Sequence, residues 1–163
     1  MLQSDQAETA NRVTKYGWTA VEIAAINGHH PIVRSLVTTY GGNINQSNPY
    51  NHTTPLENAI EGGHLDTVKD MVGMGARYGT AVSNVDNLEN AAKLVISQGE
   101  LLPENAGQDY DDIKNFLLGY HKDNNTSFPL AIGNKLDRLS RIDSIKRTTT
   151  TTVVTEEFKL TSI

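Results

Sequence analysis

Three histidines raise the first chemical question: His29, His30 and His64. Imidazole is the commonest protein ligand for transition metals, so a histidine cluster is a metal hypothesis. The spacing argues against it, because adjacent His29 and His30 cannot point the same way from one helix face. Neither has a carboxylate three or four residues away to complete a facial set. The densest acidic group is Glu104, Asp109, Asp111 and Asp112. A calcium loop starting at Asp109 needs a bidentate glutamate eleven positions on, and residue 120 is Tyr. Asp111 and Asp112 suit the first turn of a helix, where carboxylates complement the dipole. There is no nucleophile-elbow serine, phosphate loop or dinucleotide fingerprint. With no cysteine, thiolate zinc sites, cysteine nucleophiles and disulfides are excluded. No catalytic, metal or cofactor-binding residue is therefore assigned, and the chain reads as a non-enzyme. The competing reading is an enzyme whose site is assembled from distant positions.

The bulk properties narrow the partner. At 163 residues the chain has the size of one domain, and its net charge of −5 opposes a nucleic-acid role. Residues 134–163 depart from this balance, with 6 basic and 4 acidic side chains. No apolar run is long enough for a membrane span, and the polar start is unlike a secretory signal, so the expected setting is the cytoplasm.

What positions the side chains is a repeat. Thr19 to His29 is echoed by Thr54 to His64, an offset of 35 residues, and each segment is followed by an apolar stripe ending at a glycine, Gly41 or Gly75. Threonine as N-cap opens a short first helix in each unit, with Pro55 at the first helical position of the second. Gly28 and Gly63 end it. The second helix carries apolar residues at 32, 33, 36, 37 and at 65, 68, 71, 72, one buried stripe. Leu88, Glu89, Asn90, Ala91 repeats Leu56 to Ala59 and marks a third unit, whose second helix is 111–120 with Ile113, Phe116 and Leu117 inward. Its extra residues fall in a loop insertion at 98–109. A fourth, partial unit starts at Phe128, Pro129, Leu130, with Leu136, Leu139, Ile142 and Ile145 along its helix.

Thr54, Pro55, Leu56, Gly63, His64, Gly75 and Ala76 together resemble the ankyrin-repeat family. The resemblance implies an all-α solenoid of stacked helix-turn-helix units joined by short β-turn connections. The ankyrin-repeat domain is expected over 1–147, with a capping helix at 4–14 opened by Ser4 and units at 15–47, 48–80, 82–122 and 124–147. A Thr-rich tail follows at 148–163. A single unit cannot cover its own apolar face, so about three or more must stack. In this family the histidine of the Gly-His pair is a local hydrogen-bond linker, which implies that role for His29 and His64.

The resemblance further implies protein binding through projecting turn tips and the ends of first helices. Carried onto this chain, the contact residues are Lys15, Tyr16, Trp18, Tyr50, Asn51 and Thr53 at the tips. Ile26, Asn27, Glu61 and Gly62 are the first-helix ends. Tyr and Trp are the side chains most often found as interface anchors. The expected role is an adaptor or inhibitor occupying a partner protein's surface. An alternative is a secreted effector of an intracellular bacterium, working in the host cytosol. Lys135, Arg138, Arg141, Lys146 and Arg147 give the last helix a basic side that suits an acidic surface.

Overall fold

The computed structural model describes residues 3–79 and 109–144, and every regular element among them is a helix. In chain order these are α1 (Gln3–Ala10), α2 (Ala20–Ile26), α3 (His30–Thr38), α4 (Pro55–Glu61), α5 (Leu65–Gly73), α6 (Tyr110–Asp123) and α7 (130–144). The first helix of the third unit, most of the insertion and the Thr-rich tail lie outside the described residues.

Both first helices start with the same device. Thr19 Oγ1 accepts from the Glu22 N–H, while Glu22 Oε2 accepts from the Thr19 N–H at 2.8 Å. Thr54 and Glu57 repeat the exchange at 2.9 and 3.4 Å. Two otherwise orphaned N–H groups are satisfied in each unit. The chain then reverses through glycines in the left-handed region, Gly28 at φ 74° and Gly63 at φ 71°. A Cβ at Gly28 would stand 2.6 Å from His64 Nδ1, so backbone conformation and close packing both demand glycine there.

Like helices stack on like. α2 lies beside α4 and α3 beside α5, with buried Ala24, Ala25 and Ala59 letting the first helices approach closely. The core runs through Val21, Val33, Leu56, Ile60, Val68 and Met71 and continues into Ile113, Leu117, Ile132 and Leu136. Each such aliphatic side chain contributes about 1.5–3 kcal/mol relative to exposure. α4 is central: Pro55 through Ile60 are all buried.

The last two helices form with Ile113, Leu117 and Leu136 buried as their periodicity predicts, but Ile142 is 42% exposed, Ile145 lies outside the described residues, and their placement is not a simple continuation. α6 packs on α5, the seat of a third second helix. α7 folds back beside α6, with Lys114 donating to Asp137. It also reaches α4, where Lys135 Nζ meets Glu61 Oε2 at 3.4 Å, both largely shielded from water. α7 thus comes within ion-pair reach of α4, although in sequence it follows α6. Tyr78, His121 and Phe128 pin the joint: Tyr78 Oη lies 3.0 Å from His121 Nε2, and His121 Nδ1 lies 2.7 Å from Thr126 Oγ1.

Three local expectations are corrected. The first helix is shorter than 4–14, ending at Ala10, and Ser4 lies within it instead of capping it. Past that point the Asn11 side chain is committed to Gly41 and Asn43, which turns the chain away. Ile32, placed on the buried stripe, is 51% exposed. His29 and His64 are not equivalent links. His64 Nε2 lies 3.0 Å from Ile26 O of the preceding unit, whereas His29 stands exposed.

Candidate partner-binding surface

Two projecting turns form the surface. In the first, Thr14 N–H donates to Trp18 O at 2.9 Å and Gly17 N–H to Thr14 O at 2.9 Å, while Thr14 Oγ1 accepts from the Tyr16 and Trp18 N–H groups. Asn48 does the same work in the second, donating its N–H to Thr53 O at 2.9 Å and accepting from Tyr50 N–H through Oδ1 at 2.9 Å. That turn is one residue longer, and His52 absorbs the difference at φ 59°. Asparagine and threonine at the turn start thus substitute side-chain bonds for ladder bonds.

The turns are stitched together. Buried Asn48 donates through Nδ2 to Tyr16 O at 3.3 Å. The Tyr50 ring lies across Gly17, where a Cβ would come within 2.8 Å of it. Tyr16 and Tyr50, at matching places in the two turns, are 65% and 71% exposed. Large aromatic rings held out by a fixed backbone lose little entropy when a partner covers them.

The remaining expected contact residues fall into two groups. Lys15 is exposed with its Nζ 4.8 Å from the Tyr16 ring centroid, and Asn27 is exposed at the end of α2. Trp18, Asn51 and Thr53 are half-buried, Asn51 Oδ1 being occupied by the Thr53 N–H and hydroxyl. Ile26, Glu61 and Gly62 are engaged internally. Ile26 O faces His64, Glu61 O accepts from Tyr110 Oη and its carboxylate holds Lys135, and a Cβ at Gly62 would stand 2.4 Å from Ile26 O. Burial beside Glu61 pushes the Tyr110 hydroxyl up to about 12, which keeps it a donor. Two neighbours of this surface went unassigned in the sequence: exposed His52 on the second tip, and Ile23, 44% exposed on α2. Ile23 matches Asn58 of the next unit, which is buried, so register alone does not place Ile23 outward.

Beneath the surface Glu22 is fully buried, and burial raises its pKa against the opposing bonds from Thr19. Buried Asn58 also works to lower that pKa, although its Nδ2 and Glu22 Oε1 fall short of hydrogen-bond geometry. Elsewhere, a groove of about 350 Å³ lies on the second helices between His30, Pro31, Arg34, Ser35, Thr38 and Asp70. Arg34 donates to Asp70 at 2.7 Å and holds that carboxyl below its usual range. Among the described residues no three His, Asp or Glu side chains converge as a metal site, and no helix is long and apolar enough to cross a membrane.

The repeated capping boxes, left-handed glycines and the His64 link give α2–α5 a shared unit geometry, and residues 2–81 match the family model for ankyrin repeats in three copies. Over those residues the chain belongs to the ankyrin-repeat family. Comparison with curated proteins and with solved structures gave no match. Ankyrin repeats are generally protein–protein interaction modules and typically non-catalytic. The family match ends at residue 81, and α6 and α7 lie beyond it.

Proposed function

We propose that this ankyrin-repeat chain binds a partner protein noncovalently through the tips of its first two turns and the adjoining exposed face of α2, acting as an adaptor or an inhibitor. The carrying observation is the matched pair of exposed tyrosines, Tyr16 and Tyr50, on turns locked to each other by Asn48. Because Ile26, Glu61 and Gly62 are engaged inside the stack, the contact surface centres on Lys15, Tyr16, Asn27 and Tyr50, with Ile23 and His52 beside them.

Rigidity is the mechanism. A preformed surface spends little of its contact energy on ordering, so a small number of anchors is enough for useful affinity. The combined substitution Tyr16→Ala and Tyr50→Ala tests this. Circular dichroism is expected to stay unchanged while affinity for the partner falls by at least about 2 kcal/mol, the scale of central aromatic anchors. Unchanged affinity of the folded variant would move the contact surface elsewhere.

A further inference from the structure

We propose that the tip surface recognises an acidic segment of its partner. This rests on the tips being the contact surface and adds the chemistry of what they contact. Between residues 9 and 56 the chain has a single acidic residue, Glu22, and it is fully buried. The next, Glu57, is also buried, with its carboxylate turned to Thr54 and Gly79 N–H groups. Two whole turns and the two helices between them, α2 and α3, therefore present no carboxylate to solvent, in a chain whose net charge is −5. The exposed acids of the described residues lie away from the tips, including Asp5 and Glu8 on α1, Asp66 on α5, and Asp111 and Asp112 on α6.

What the tips present instead is a set of donors. Lys15 makes no ion pair among the described residues and is held over the Tyr16 ring, which orients its ammonium group outward with the turn. Tyr16 on the same turn and Tyr50 on the next are both exposed. Asn51 has spent its carbonyl oxygen on Thr53, so its amide hydrogens are what remain to offer. Ammonium, phenol and amide donors with no competing carboxylate match an acceptor-only group, and charge-assisted bonds of this kind are the stronger ones. A basic segment would find no counter-charge on this surface and would be drawn to the acids at the ends of the stack.

The test is selection of short random peptides displayed on phage against the folded full-length chain, followed by titration of the selected peptides. The expected result is enrichment in Asp and Glu, with binding weakened about tenfold or more by Lys15→Glu and also weakened by raised salt. Neutral or basic peptides that bind normally to Lys15→Glu but are lost with Tyr16→Ala and Tyr50→Ala would overturn the acidic preference and leave the tip surface standing. Peptides indifferent to all three substitutions would overturn both. Failure to select any peptide, with Lys15→Glu and the parent chain alike, also counts against an acidic linear segment.

Discussion

Asn11 and Asn45 make the same two hydrogen bonds one unit apart. Asn11 Oδ1 accepts from Asn43 N–H at 2.6 Å and its Nδ2 donates to Gly41 O at 3.1 Å; Asn45 Oδ1 accepts from Arg77 N–H at 2.7 Å and its Nδ2 donates to Gly75 O at 3.3 Å. Each carboxamide bridges the loop that precedes a unit to the loop that leaves that same unit. The next place in this series, 34 residues on, is Gly79. No side chain fits there, because a Cβ would stand 2.9 Å from His52 O, so the ladder does not continue through Gly79.

Asn45→Ala removes both bonds of one bridge at an exposed position where water replaces them. The expected loss is about 1 kcal/mol, seen as a lower urea midpoint with an unchanged slope. A midpoint equal to that of the parent chain would show that the bridges carry no stability.

Gly28→Ala meets two obstacles, the left-handed backbone and the His64 ring that links the units. A combined cost of about 2–3 kcal/mol is expected. Adding His64→Ala relieves the clash but not the backbone strain, so the double variant should be more stable than the sum of the two single losses predicts. Simple additivity in urea unfolding would contradict the contact.

The C-terminal joint should weaken on acidification. Burial holds the pKa of His121 below its ordinary value of 6.5, and His64 is shifted the same way. The unfolded chain therefore binds more protons than the folded one, so this stability is present above about pH 6.5 and is lost as pH falls through the folded pKa. Hydrogen exchange should show α6 and α7 amides losing protection as pH drops below 6.5, with a shallower dependence in His121→Gln. A slope of equal steepness in that variant would exclude His121 as the group responsible.

How far the sequence revealed this depended on whether a feature was local. The Thr-to-Glu capping boxes, Pro55 and the glycines at 28 and 63 act within a few residues, so helix starts and ends could be read directly. Exposed Lys15, Tyr16 and Tyr50 were legible because tips project from any such stack. The seat of α7 was not, since its register depends on Lys135 meeting Glu61, 74 residues away, and no periodicity encodes that pairing. For the same reason Glu61 read as a contact residue when its carboxylate is turned to an internal cation. The asymmetry of His29 and His64 also needed the stack, because the His64 link is made to Ile26 O, 38 residues away.

The placement of α7 is open to a direct check. The natural chain has no cysteine, so Glu61→Cys with Lys135→Cys introduces the sole thiol pair. A short bis-maleimide should join them within one chain at dilute concentration, and a control pair of Ile32→Cys with Lys135→Cys should stay unjoined. Equal yields in the two pairs would remove α7 from its seat beside α4.

The account turns most on where a partner sits. Photo-crosslinking residues placed singly at positions 16, 50 and 32 of the folded chain, irradiated in an extract that contains its partners, decide it. The prediction is one common adduct from positions 16 and 50 that is absent from position 32 on the second-helix side. A partner captured at 32 and missed at both tips would contradict it.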